Sequence, residues 1–99
     1  MLTKKSVLTT LQDHLKEIEK YGVKKIGVFG SFARSSQNKR SDIDIIVEFK
    51  KGMKTFDNYM DLKFFLEELF KKKIDLVIKD ALKPQIKHIV LSDVIYATL

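Results

Sequence analysis

The 99 residues are 44% hydrophobic and 32% charged, enough for one small domain with a single core and too few for a second module. The net charge of +6 comes from lysines scattered mostly at the ends of predicted elements. It reads as solvated surface charge, which argues against a dedicated nucleic-acid face. Cysteine is absent, which excludes disulfides and thiolate metal sites and fits a reducing cytoplasm. No stretch approaches the roughly 18 apolar residues of a membrane span and no signal-peptide core stands at the N-terminus, so a cytoplasmic protein without membrane contact is expected.

In chain order, Leu8, Leu11, Leu15 and Ile18 recur at helical spacing and predict an amphipathic helix over 6–21, with Gly22 as its C-cap. His14 lies one residue from this stripe with no metal-ligating neighbour beside it, and reads as a surface or boundary residue. Residues 24–29 predict a short strand, followed by a Gly30-Ser31 turn and one to two helical turns through Arg34. The polar run 35–41 reads as a loop. Residues 42–49 predict a second strand in which Ile43, Ile45, Val47 and Phe49 face one way while Asp42, Asp44, Ile46 and Glu48 face the other. After a turn around Gly52, Thr55 or Asp57 is placed to cap a helix. Its apolar stripe is Phe56, Tyr59, Leu62, Leu66 and Leu69, with Phe65 and Phe70 alongside.

A third strand, 74–78, turns Ile74, Leu76 and Ile78 to one side and Asp75 to the other. Pro84 suits the first turn of a last helix carrying Ile86, Ile89 and Val90, with His88 on its polar side. The tail, 94–97, reads either as a short strand or as an apolar segment that docks elsewhere. The alternation predicts an α+β domain: a small mixed β-sheet with helices packed mainly on one face, spanning 1–99 as a single unit.

Two chemistries meet near the middle. Gly30 and Ser31 follow an apolar run and open a helix-compatible piece, a layout that aims free backbone N–H groups at an anion such as phosphate. Twelve residues after Gly30, Asp42-Ile43-Asp44 opens the second strand, where the two-residue period puts both carboxylates on one face about 7 Å apart. Taken alone, Asp42 reads as a strand cap and Asp44 as an edge charge. With the glycine turn upstream, the pair reads as a divalent-metal site.

Together, Gly30-Ser31-Phe32-Ala33-Arg34 and Ser41-Asp42-Ile43-Asp44 resemble the signature of the DNA polymerase β-type nucleotidyltransferase superfamily, Gly-Ser-x-Ala-Arg-Gly, a short loop, then Ser-Asp-x-Asp. The short length and the third acid in Lys73-Ile74-Asp75-Leu76-Val77 look most like the minimal nucleotidyltransferases, the MNT or MntA-type partners of HEPN-domain toxins. One position departs from the pattern: Ser35 stands where a glycine usually follows the arginine, which bears on the tight turn there.

The resemblance implies catalytic and metal-binding roles for Asp42, Asp44 and Asp75. Two Mg²⁺ ions about 3.5–4 Å apart would neutralise charge on the attacking and leaving oxygens. It implies nucleotide binding by Gly30, Ser31 and Arg34, the arginine either touching phosphate or pairing with a carboxylate to brace the loop. The implied reaction is AMP transfer from ATP to a tyrosine hydroxyl of a HEPN toxin, which silences it. Two other readings stand beside it: a non-catalytic antitoxin that binds its toxin by contact alone, and a nucleotidyltransferase acting on RNA or a small molecule. Three gathered acids argue against pure binding, because their mutual repulsion has no use without a metal. So small a chain leaves little room for an acceptor pocket of its own.

Overall fold

The computed structural model describes residues 2–97. The elements run α1 (Lys4–Asp13), α2 (Leu15–Glu19), β1 (Val23–Phe29), α3 (Gly30–Ala33), β2 (Ile43–Phe49), α4 (Phe56–Phe70), β3 (Ile74–Ile78), a 3₁₀ turn (Lys79–Ala81), α5 (Pro84–Ser92) and β4 (Ile95–Tyr96). The four strands form a mixed sheet in the order β3-β2-β1-β4. β1 pairs antiparallel with both β2 and β4, and β2 pairs parallel with β3. The tail is thus a strand. No helix among the described residues is long and apolar enough to cross a membrane.

The first helix is not continuous. Thr3 and Ser6 close a reciprocal capping box at its start, but at His14 the backbone leaves the helical region (φ −115°, ψ 15°). The His14 ring nitrogen Nδ1 lies 2.8 Å from the Thr10 carbonyl, serving an acceptor that the break would leave unpaired. The predicted boundary residue is therefore a helix terminator. Gly22 adopts φ +83° two residues beyond the C-cap Lys20 of α2, and the turn ends where its carbonyl accepts from Lys50 N at 2.8 Å.

The core lies between one face of the sheet and helices α1, α2 and α4. Val7, Leu11 and Ile18 come from the first two helices and Leu62, Leu66 and Phe70 from α4. They pack on Ile26 and Val28 of β1, Ile43, Ile45 and Val47 of β2, and Ile74 and Leu76 of β3. Each large side chain fully buried contributes about 1.5–3 kcal/mol from lost apolar exposure, so this face dominates the fold's stability. Thr55 caps α4, its hydroxyl accepting from Asn58 N at 3.1 Å. The Tyr59 hydroxyl donates to the Leu76 carbonyl at 2.6 Å and fastens α4 to β3.

One expectation about the helices needs correcting. Phe56, assigned to the core stripe of α4, is 76% exposed, because it sits in the first turn beyond the sheet's reach. On α5 the apolar spacing led to no burial: Ile86 and Ile89 are 46% and 58% exposed. The second sheet face also differs from a purely polar one. Ile46, on the same side as Asp44 and Glu48, is fully buried there and paired in register with Gly27 and Val77.

Candidate active site

The parallel pairing of β2 with β3 sets the site. Its register places Ile43 opposite Ile74, Asp44 opposite Asp75 and Ile45 opposite Leu76. The strand period then turns both acids to the face opposite the core. On the other side of β2, Asp44 is opposite Phe29, the residue before Gly30. Asp44 and Asp75 are thus brought together across the strand seam, with the Gly30 turn against them. Asp42 lies one residue before β2, exposed at the same end.

Gly30 takes φ +71°, a conformation that L side chains rarely adopt. A Cβ there would collide with Asp44 Oδ2 and come within 3.0 Å of its Cγ. The glycine therefore does two things: it turns the chain into α3, and it leaves the volume that the Asp44 carboxylate occupies. Its close approach is to an acid of the site itself, a requirement that the sequence did not display. Ser31 follows as the second residue of α3, and its carbonyl accepts from Ser36 N at 2.8 Å, folding the next turn back on the helix. Ser35 adopts φ +58°. The position thus keeps the left-handed turn for which the related signature uses glycine, with serine accepting the strain.

Arg34 caps α3 and makes an ion pair with Asp93, Nη1 to Oδ2 at 2.7 Å, with the two side chains 54% and 30% exposed. Pairing with a carboxylate is thus present, as one of the two roles set out for Arg34. Asp93 is 59 residues away and follows α5 as its C-cap. No local pattern announces it.

Electrostatics single out Asp44. Burial first, then Asp75 and Asp42, push its carboxyl up to about 6, while Arg34 acts in the opposite sense. Beneath β3, burial and then the Asp75 charge push the Tyr59 phenol up. Further along the same sheet face, Glu48 lies 3.7 Å from Lys79 Nζ. Burial and the Glu48 carboxylate push the Tyr96 phenol up, and Lys79 opposes them. Lys25 Nζ stands 5.4 Å from the Tyr96 ring centroid. Of this group, only Glu48 had been placed on the acidic side by strand alternation.

Among the described residues no three His, Cys, Asp or Glu side chains stand close enough to hold a metal ion as a ready-made set. The donors nevertheless fit a hard divalent cation. Asp42, Asp44 and Asp75 offer only carboxylate oxygens, and Asp44 carries a penalty for ionising that a cation would remove. Two cavities, about 330 and 470 Å³, lie elsewhere, and neither is lined by any of these acids.

A mixed sheet that brings two in-register acids beside a glycine turn has the layout expected of a nucleotidyltransferase. Residues 8–97 match the nucleotidyltransferase domain family, and the chain belongs to it as an MntA-type minimal nucleotidyltransferase. The chain is 39% identical over 97 residues to the protein adenylyltransferase MntA of Thermococcus cleftensis, covering 97% of each. A solved structure provisionally assigned as a minimal nucleotidyltransferase superposes with TM-score 0.82 at 29% identity, covering 95% of both chains. Two more distant structures share the fold. One is a toxin–antitoxin with AMP-PNP (TM-score 0.69, 21% identity, 98% of this chain and 73% of that). The other is a tri-AMPylated Shewanella oneidensis HEPN toxin in complex with its MNT antitoxin (TM-score 0.65, 16% identity, 92% and 71%).

Proposed function

We propose that this nucleotidyltransferase moves AMP from ATP to a tyrosine hydroxyl of a partner HEPN-domain toxin, and so acts as its antitoxin. The observation that carries the reading is the in-register meeting of Asp44 and Asp75 with Gly30 against Asp44. Family membership supplies nucleotidyl transfer, the MntA relative supports adenylyl transfer to protein, and the toxin–antitoxin complexes of the same fold indicate the kind of partner.

In the proposed reaction the acceptor oxygen forms a bond to the α-phosphorus, the bond from that phosphorus to the bridging oxygen breaks, and pyrophosphate leaves. Asp42, Asp44 and Asp75 would hold Mg²⁺, which supplies charge neutralisation on the entering and leaving oxygens. Gly30 and Ser31 present backbone N–H groups and the Ser31 hydroxyl to the β and γ phosphates. Arg34 adds positive charge beside Asp44 and is kept in place by Asp93. Asp75, exposed at the edge of the site, takes the proton that the acceptor hydroxyl releases.

The test is to incubate the chain with its cognate HEPN protein, ATP and Mg²⁺. The expected result is a gain of AMP mass on a tyrosine of the partner, absent with Asp42→Ala/Asp44→Ala, and loss of Mg·ATP binding by that variant in calorimetry. Mass gain on RNA or a small molecule instead would move the acceptor class. Relief of toxin-induced growth arrest by the inactive variant at equal expression would establish contact inhibition in its place.

A further inference from the structure

The last two elements do more than complete the sheet, because they bring Asp93 to Arg34. β4 pairs with β1 so that Ile95 is opposite Val28 and Tyr96 opposite Gly27. Gly27 permits this close approach: a Cβ there would stand 2.8 Å from the Ile95 carbonyl oxygen and 3.1 Å from Tyr96 Cα. Asp93 ends α5 two residues before Ile95, so its Cα is no more than about 7 Å from that of a residue fixed against β1. Arg34 is tied to the same strand. Its backbone N donates to the Gly30 carbonyl at 3.1 Å, and Gly30 directly follows β1. Both ends of the ion pair thus hang from β1.

The Asp93 carboxylate does nothing for its own helix. The backbone N–H of Asp93 closes α5 by donating to the Val90 carbonyl at 3.2 Å. A negative side chain at a helix C-terminus is disfavoured by the helix dipole, and α5 has no basic residue in its last turn to offset it. Among the described residues the one hydrogen bond of the Asp93 side chain is to Arg34, Nη1 to Oδ2 at 2.7 Å. Arg34 spends a single N–H on it, and its other guanidinium donors have no protein partner among the described residues. Arg34 makes no ion pair with Asp42, Asp44 or Asp75, although its charge reaches Asp44. A guanidinium beside three carboxylates is well suited to take one of them as a bidentate partner. Asp93 takes it instead.

We infer that Asp93 is a positioning residue: it holds the Arg34 guanidinium off the acids of the site and leaves its free N–H donors for the triphosphate. The inference rests on the proposed nucleotide site and adds the junction of α5 and β4 to it. Asp93 touches neither nucleotide nor metal and acts only through Arg34.

The test is Mg·ATP affinity by calorimetry in a double-mutant cycle of Asp93→Asn and Arg34→Gln, with thermal melts alongside. The sign of the change separates positioning from bulk charge. Mg·ATP is anionic, so removing a nearby negative charge would by itself tighten its binding, whereas releasing Arg34 weakens it. Asp93→Asn should weaken Mg·ATP binding about fivefold and Arg34→Gln about tenfold, the scale of one charge-assisted hydrogen bond. The double variant should bind no more weakly than Arg34→Gln, and Asp93→Glu should recover part of the Asp93→Asn loss. All four should melt close to wild type, because an exposed pair contributes little to folding. Equal or tighter Mg·ATP binding by Asp93→Asn, additive losses in the double variant, or a melting temperature far below wild type in both Asp93 variants would each overturn the inference. AMP transfer to a partner protein that is unchanged in Asp93→Asn at limiting ATP would overturn it while leaving the proposed reaction intact. Non-additive losses of Mg·ATP affinity, with no AMP transfer to any protein by the wild type, would uphold the positioning role and overturn the reaction.

Discussion

Gly30, Asp44 and Ser35 each show a single residue bearing the cost of the site. Alanine at Gly30 would meet both a left-handed backbone, at about 1–2 kcal/mol, and the Asp44 carboxylate. Gly30→Ala is expected to lower the melting temperature and abolish nucleotidyl transfer together, measured by thermal denaturation and pyrophosphate release. Ser35 lies in the same region at φ +58°. Ser35→Gly should stabilise the protein by up to about 1 kcal/mol, the left-handed cost less the larger chain entropy of glycine, while Ser35→Ala should not. For Asp44 the folded carboxyl is raised from 3.8 to about 6, so the folded state holds the proton more tightly than the unfolded state. The cation-free protein should therefore lose stability at this group as pH rises from about 4 to about 6, and hold that penalty above. Asp44→Asn should raise the melting temperature at pH 7 and flatten that window in a pH series of thermal melts, while ending AMP transfer.

At the scale of elements, α4 is attached to β3 through burial and through one polar bond, Tyr59 Oη to the Leu76 carbonyl. Tyr59→Phe should cost about 0.5–1.5 kcal/mol in urea unfolding and leave Mg·ATP affinity close to wild type, since the hydroxyl faces the strand next to Asp75 rather than the acid itself. Which elements were legible in the sequence follows from what fixes them. β2 and β3 were plain because period-two burial on one side is written in consecutive residues. The same period put Asp44 and Asp75 on the side away from the core, but their candidacy came from the family resemblance. Their pairing with each other was not legible, because register between strands 31 residues apart depends on packing by α4. The Arg34–Asp93 pair was hidden by its separation, and the break at His14 by an apolar stripe that continues undisturbed through it. α5 was legible as a helix from its spacing, but the spacing did not tell that Ile86 and Ile89 stay largely exposed.

For the molecule as a whole, the proposed metal site would link cation binding to folding. A cation that binds only the folded chain stabilises it by mass action, about 2.7 kcal/mol at one hundred times its dissociation constant. Mg²⁺ or Mn²⁺ should accordingly raise the melting temperature of the wild type at pH 7 and leave Asp42→Ala/Asp44→Ala unmoved. An equal rise in both would place the cation outside the acid cluster.

The seam between β2 and β3 also has a bearing on when activity can begin. Gly30, Ser31, Asp42 and Asp44 belong to the first half of the chain, whereas Asp75 is delivered by a strand that follows α4 and pairs in parallel. Parallel pairing of this kind closes a long loop and comes late in folding. On the proposed reading, the four earlier residues lack their third acid until the strand after α4 has been made and paired. A copy cut short before β3 is accordingly expected to release no pyrophosphate from ATP.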